Sequence, residues 1–480
     1  MYASRRTTER VLRISVVGGV FLWGLYQSFW NLAAANFNAD EPVYIDAGWS
    51  YVHGIHTANL EHPPTAKYIL GLAQVLVGEG YFAGRIAVAC AVFLTGVIIW
   101  LWTRMEIGWV GATVAAGFWL LLPRGVIGSG LKIDRFALLD PFAVFFLVAA
   151  MAAGWVWYRK SQSLWLVLAA VSMGLAVTSK VSVAVCLPVF LVVAIARRSW
   201  KQFFTSALIF VPTFTAVVVL VYLPIGIRSS IGYMLAYQSE HNAAGHLVDV
   251  AGIITNFPPW WANLWYTIQG VGPVVAALVL LAALAALLSP NRLFVGYVGM
   301  SLACLLVFHL FVAHVALAHY YYVWMWVLCV LCGIGVDALI HRFTGTRLAR
   351  LTQPIVSAIV AVGIVVAAWL SVSVWQERPT GMALVTKTLA AHGISDGRIY
   401  VTGMATWEYA NYLGDRATTS LADADVTALA VAHSTRFPPD EAAIRLLTED
   451  PEAFTLIELD AIDLYVPTDE LVDGAIVGVQ

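Results

Sequence analysis

Eight stretches of this chain, near residues 11–34, 83–103, 136–158, 203–225, 271–288, 293–312, 320–340 and 353–375, are apolar for long enough to cross a hydrocarbon core about 30 Å thick. Backbone polar groups in lipid must be satisfied within the segment itself, so such runs specify helices. Three shorter runs, 109–123, 163–178 and 181–196, bring the expected number of spans to about eleven. Composition agrees: 60% of the 480 residues are hydrophobic and 12% charged, with a mean hydropathy of +0.79, far from a soluble globular chain. Residues 66–77 are too short to span and are bracketed by Pro63, Pro64 and Gly78, which reads as a helix lying along the interface in the first outer loop.

Arg5, Arg6, Arg10 and Arg13 precede the first span and place the N-terminus in the cytoplasm. Eleven spans then put the C-terminus outside, and this count assigns 14 of the 21 Lys and Arg of residues 1–375 to the cytoplasmic side, among them Arg159, Lys160, Arg197, Arg342, Arg347 and Arg350. Nine acids go outside: Asp40, Glu41, Asp46, Glu61, Glu79, Asp134, Asp140, Glu240 and Asp249. "LAAAN" after the first run has the small residues of a signal-peptidase site, but the run is long and carries Trp23, Tyr26 and Trp30, as a retained span does. The five cysteines all lie in apolar runs, where Cys329 and Cys332 read as packing residues and no disulfide framework is offered.

From Gln376 onward the character changes, with 17 Asp and Glu against 6 Lys and Arg, a net charge of −11. Residues 376–480 therefore read as a separate acidic soluble domain outside the membrane, following a transmembrane domain over residues 1–375. Within it "MALVTKTLAAHG" and "PPDEAAIRLL" predict helices, and "RIYVTG" and "FTLIELDAIDLYVP" predict strands, a small α/β fold whose acidity argues against nucleic acid as a partner. HExxH, P-loop and GxGxxG patterns do not occur, which removes the usual support for metalloprotease or nucleotide-driven chemistry.

Acids and bases gather at the expected outer boundary. The first outer loop holds Asp40, Glu41 and "LEHPPTAKYIL" with Glu61, His62 and Lys67; a second carries "GSGLKIDRFALLDPF" with Lys132, Asp134, Arg135 and Asp140. Charges at a membrane boundary line polar cavities, pair with one another or serve function. Helix capping is the plainer role for Asp40 and for Asp140 ahead of Pro141. Arg85 and Arg228 lie at span ends, where snorkelling accounts for them, and Trp260 and Trp261 suit an interfacial aromatic belt.

"ADEPVY", "EHPPTAK", "RFALLDPF" and "YQSEHNAAGH", in that order and on one side of the membrane, resemble the GT-C glycosyltransferases, especially the protein O-mannosyltransferases and the bacterial aminoarabinose transferases. The resemblance covers about residues 1–340. It implies transfer of one sugar from a polyprenyl-phosphate carrier to an acceptor hydroxyl of a protein, lipid or envelope glycan on the outer face, by inverting displacement. Asp40 matches the family's base with Glu41 beside it, and Asp140 matches the second acid that holds a sugar. The phosphate leaving group calls for cations, with Lys67, Arg135 and Lys180 as candidates; His62 stands beside Glu61 in "EHPPTAK", and His319 and Tyr320, in "LAHYYYVW", are expected to reach the carrier phosphate. By the same resemblance Glu61 and His241 would hold a divalent metal ion; the domain from Gln376 lies outside the resemblance and is expected to bind the acceptor. The chain departs from the aminoarabinose pattern at "DEPVY", where that group continues with arginine, and from its lysine at His62. The rival from another class is a secondary transporter, which would use carboxylates nearer the bilayer midplane.

Overall fold

The computed structural model describes residues 2–38, 40–125, 132–343, 349–423, 425–433 and 437–468; Arg347 and the start of the second loop motif, residues 128–131, lie outside this set. The chain divides into two compact units, residues 1–33 with 43–376, and residues 34–42 with 377–480.

In the first unit all eleven apolar segments are helical. Among the described residues, seven helices are long and apolar enough to cross a membrane: Thr7–Phe29, Tyr81–Thr103, Asp140–Lys160, Trp200–Ile225, Arg292–Val312, Tyr322–Arg342 and Pro354–Gln376. An eighth candidate is the pair Ala262–Val271 and Pro273–Leu288, bent by 107° where Gly272 takes a φ of 88° ahead of Pro273. The other three, Trp109–Leu121, Ser163–Val177 and Val181–Ala196, are shorter apolar helices. The segment expected along the interface is the helix Thr65–Val77, preceded by a second short helix, Glu41–Val52, that the hydropathy pattern does not single out.

Burial sorts these helices. Asp140–Lys160 and Tyr322–Arg342 are each 78% buried over their apolar window and form the centre, whereas Trp200–Ile225 is 6% buried and shows Trp200, Leu208 and Leu220 outward. Such side chains would cost roughly 1.5–3 kcal/mol apiece in water, so their cover is lipid. Where lipid competes for apolar surface, helices associate by close packing at small residues. A Cβ on Gly111 would sit 2.6 Å from the Gly333 carbonyl oxygen, and one on Gly48 would sit 2.8 Å from that of Lys67, so both crossings depend on glycine. Polar side chains stitch the first helix to the last of this unit: Trp23 Nε1 donates to Ser371 Oγ (2.7 Å), Gln27 Nε2 to the Ala367 carbonyl (2.9 Å) and Asn31 Nδ2 to the Val374 carbonyl (3.2 Å).

Between Leu121 and Asp140, the described charged side chains find partners within the first unit. Arg124 Nε donates to Asp134 Oδ2 at 3.1 Å with both side chains buried, and the guanidinium lies 4.4 Å from the centre of the Trp119 ring. Lys132 Nζ donates to the Leu120 carbonyl. Arg135 donates to the carbonyls of Gln27 (2.5 Å) and Trp30 (2.6 Å), at the end of the first helix.

In the second unit a hydrophobic core forms on either side of one sheet, in the order β4–β3–β5–β7–β6, with β3 (Arg398–Thr402), β4 (Ala417–Thr418), β5 (Val426–Ala432), β6 (Phe454–Glu458) and β7 (Ile462–Pro467); β1 (Val248–Val250) and β2 (Ile253–Thr255) make a separate hairpin in the first unit. β3 runs parallel to β4 and β5, while β7 is antiparallel to β5 and β6. Alternation assigns the faces: Ile399, Val401, Ala428, Ala430, Ile462 and Leu464 pack with Val385, Leu389, Tyr409 and Leu413 of two helices, while Tyr400 and Leu429 pack with Ala443 of a third. Replacing Asp134 by Ala leaves Arg124 buried and unpaired, and should cost the first unit about 3–5 kcal/mol, read as a lowered melting temperature in detergent; an unchanged melting temperature would refute the lock.

Candidate active site

Asp140 opens the helix Asp140–Lys160 with Pro141 behind it, but its carboxylate makes no helix cap. Oδ1 instead accepts from Lys180 Nζ at 2.7 Å, and Oδ2 lies 4.0 Å from His319 Nε2. Lys180 heads the 3-10 turn Val181–Cys186, with its ammonium 4.5 Å from the centre of the Tyr320 ring. That turn is fixed by Thr178, whose carbonyl accepts the Thr65 N–H at 2.8 Å and whose hydroxyl meets the Thr65 hydroxyl at 2.7 Å. The helix start "HPPT" and the turn "TSK", more than a hundred residues apart, thus hold each other.

Lys180 and Tyr320 face a cavity of about 320 Å³ whose wall includes Glu61, His62, His241, Asn242 and His309. Gln238 Nε2 donates to the Glu61 carbonyl at 3.0 Å and brings the helix Ile227–Ala244 to this wall, while the Glu61 carboxylate accepts from Asn59 Nδ2 at 2.7 Å. The His241 ring stacks on Tyr237 with centroids 5.9 Å apart. Sequence reasoning passes over Gln238 and His309. His309 sits in a single π-helical turn, Phe308–Val312, with Nδ1 2.9 Å from the Leu305 carbonyl, and such turns recur at functional sites. Its signal was a lone ionisable side chain inside an apolar run. A neighbouring cavity of about 430 Å³ shares His309 and has Trp260 stacked on Phe311 at its rim.

Two of the cations expected at a phosphate are spent elsewhere. Lys67 is buried and donates to the carbonyls of Asn59 and His62 (2.8 Å), stapling the 59–62 loop; burial pulls its ammonium down to about 7. Arg135 is buried on the carbonyls of Gln27 and Trp30. A helix end offers unpaired carbonyls, and these side chains satisfy them or a loop's in place of a ligand. Burial, with Lys180 and Lys67 nearby, pushes His62 down to about 3, so its imidazole is neutral.

Asp40 and Glu41 lie in the second unit. Asp40 N–H donates to Asn38 Oδ1 (3.3 Å), Glu41 N–H to the Asn38 carbonyl (3.0 Å) and Asn38 N–H to Glu41 Oε2 (3.4 Å), a reciprocal cap carried by Asn38 and Glu41. The half-buried Asp40 side chain is not the capping group, contrary to the plainer expectation; its carboxylate takes no hydrogen bond or ion pair from the described residues.

For a divalent ion, Glu61 and His241 line one cavity wall, and among the described residues no group of three or more His, Cys, Asp and Glu converges. Two protein ligands suit an ion completed by water or phosphate oxygens.

Residues 60–234 match the dolichyl-phosphate-mannose-protein mannosyltransferase family. The undecaprenyl phosphate-α-4-amino-4-deoxy-L-arabinose arabinosyl transferase 1 of Proteus mirabilis is 28% identical over 171 residues, 33% of this chain and 30% of that protein. The corresponding transferase of Edwardsiella ictaluri is 30% identical over 165 residues, 32% of this chain and 29% of that one. The matches thus span about a third of the relatives' length. In fold, ArnT from Cupriavidus metallidurans bound to undecaprenyl phosphate superposes with a TM-score of 0.58 at 14% identity, covering 99% of this chain and 100% of that one. The Archaeoglobus fulgidus oligosaccharyltransferase gives 0.54 at 11% identity, over 88% and 69%. With an Asp140–Lys180 pair beside a polar cavity, this chain has the GT-C fold and is similar to the glycosyltransferases that draw sugars from polyprenyl phosphates.

Proposed function

We propose that the protein moves a single sugar from a polyprenyl-phosphate carrier to an acceptor hydroxyl on the outer face of the membrane, with the N-terminus cytoplasmic and the C-terminal unit outside. The observation that carries this reading is the Asp140–Lys180 pair, with Tyr320 against the ammonium, on the edge of a cavity shared by Glu61, His62 and His241. Asp140, Lys180, Glu61 and His62 all fall within the segment matched by the mannosyltransferase family.

The acceptor O–H gives its proton to the Asp40 carboxylate as the oxygen attacks the anomeric carbon, and the C–O bond to phosphate breaks on the opposite face. The product is an inverted glycoside plus polyprenyl phosphate, with Glu41 beside the base. The departing phosphate is stable as an anion, so positive charge matters more than a proton donor. Lys180 supplies that charge, held forward by Asp140, with His319 and Tyr320 adjoining and neutral His62 as a hydrogen-bond donor. Glu61 and His241 would hold a divalent ion that adds charge at the same phosphate. The sugar and the class of acceptor depend on the cavity lining.

Labelled-sugar transfer from a panel of polyprenyl-phosphate donors tests the reading. The native chain should transfer sugar with inversion, and Asp40→Asn of matched folding should lose about a hundredfold or more. Retention of configuration would rule out direct displacement, and near-native activity of Asp40→Asn would move the base elsewhere. Lys180→Ala should weaken donor use by about ten- to a hundredfold, the worth of a charge-assisted hydrogen bond, and an unchanged KM for donor would remove Lys180 from the phosphate site. Acid should also report on His62: the unfolded side chain protonates near pH 6.5 but the folded one only near about 3, so stability is full above pH 6.5 and declines as pH falls through that window. His62→Gln should flatten the fall of melting temperature below pH 6.5, and an unaltered acid profile would contradict the buried neutral imidazole.

A further inference from the structure

The segment that carries Asp40 and Glu41 is built into the C-terminal unit, although it is encoded directly after the first helix. Asn36 uses both ends of its amide on one residue: Nδ2 donates to the Thr380 carbonyl at 3.0 Å, and Oδ1 accepts the Thr380 N–H at 3.1 Å. One residue on, the Phe37 N–H donates to the Tyr412 hydroxyl at 2.6 Å, and the Phe37 ring stacks on the Tyr412 ring at 4.5 Å and 13°. Tyr412 belongs to the helix Thr406–Leu413, which is rooted in the core of the unit by buried Tyr409 and Leu413. Asn38 then organises the turn of Asp40 and Glu41 through three hydrogen bonds. An amide clamp on the Thr380 backbone, a ring stack and a reciprocal cap thus engage Asn36, Phe37, Asn38 and Glu41 in turn.

We propose that Thr380 and Tyr412 are positioning residues for the transfer reaction, acting through Asn36 and Phe37 to set where the Asp40 and Glu41 carboxylates stand. This rests on the reading of Asp40 as base given above. It makes the C-terminal unit part of the catalytic apparatus, whatever it does for acceptors. Misplacing a catalytic group by about an ångström costs up to about a hundredfold in rate while leaving a distant binding site intact.

The test uses the full-length chain with Tyr412→Phe, Tyr412→Ala and Asn36→Ala. Two readouts are taken: kcat and donor KM for transfer, and amide hydrogen exchange over residues 36–46. Tyr412→Ala should lower kcat about ten- to a hundredfold with donor KM unchanged within about twofold, and should speed exchange at Phe37. Tyr412→Phe keeps the stack and should recover part of kcat while Phe37 still exchanges faster. Native exchange and native kcat in both alanine variants would overturn the proposal, as would a parallel loss of kcat and donor binding, which marks general unfolding. If the native chain transfers no sugar from any donor, the functional reading fails by itself, and exchange at Phe37 still decides whether the C-terminal unit holds the segment.

Discussion

Two buried arginines hold carbonyls at the end of the first helix and in the turn that follows it, and the rest of the arrangement depends on that grip. Arg135 reaches Gln27 and Trp30, and Arg85 reaches Leu32 at 2.7 Å. A guanidinium buried on carbonyls at a helix C-terminus meets both the unpaired acceptors and the negative end of the dipole. Arg135 stands five residues before Asp140, and Leu32 eight before Asp40. The same contacts that close the first helix therefore fix the chain on the approach to both acids.

This accounting changes the electrostatics of the candidate site. Sequence alone offers a crowd of cations near the outer boundary, but Arg124 is matched by Asp134, while Lys132, Lys67 and Arg135 are matched by backbone carbonyls. Lys180 is the one of the expected phosphate-binding cations that faces the cavity, and it does so paired with Asp140. A buried carboxylate beside an ammonium keeps it aimed, at the expense of some attraction for an incoming anion. The neutral imidazole of His62 on the wall lets a phosphate approach without adding a second fixed charge.

The apolar runs were legible because lipid leaves the backbone no choice but a helix, and every such run is helical. Which of them sit at the centre was not, because close crossings at Gly111 and Gly333 are decided by partners that hydropathy does not name. Glu61, His62 and His241 of the ordered motifs line one cavity with Lys180, while the fate of Lys67 and Arg135 turned on carbonyls that carry no sequence signal. In the C-terminal unit β3, β6 and β7 follow visible alternation; β5, "VTALAVA", sits between two neighbours in the sheet and is apolar on both faces, a pattern that does not separate strand from helix. The packing of Asn36 and Phe37 against residues 380 and 412 links positions 344 and 375 apart, beyond any local rule.

That separation governs biosynthesis. Asn36 and Phe37 leave the ribosome early, but their partners Thr380 and Tyr412 are made only after the apolar helices of the first unit have been synthesised. Until then the turn bearing Asp40 lacks its supports, and the acid assigned to proton transfer is fixed last. A nascent polypeptide thus carries its apolar helices with an unfinished turn, so that completion of the proposed centre waits on nearly the whole of translation.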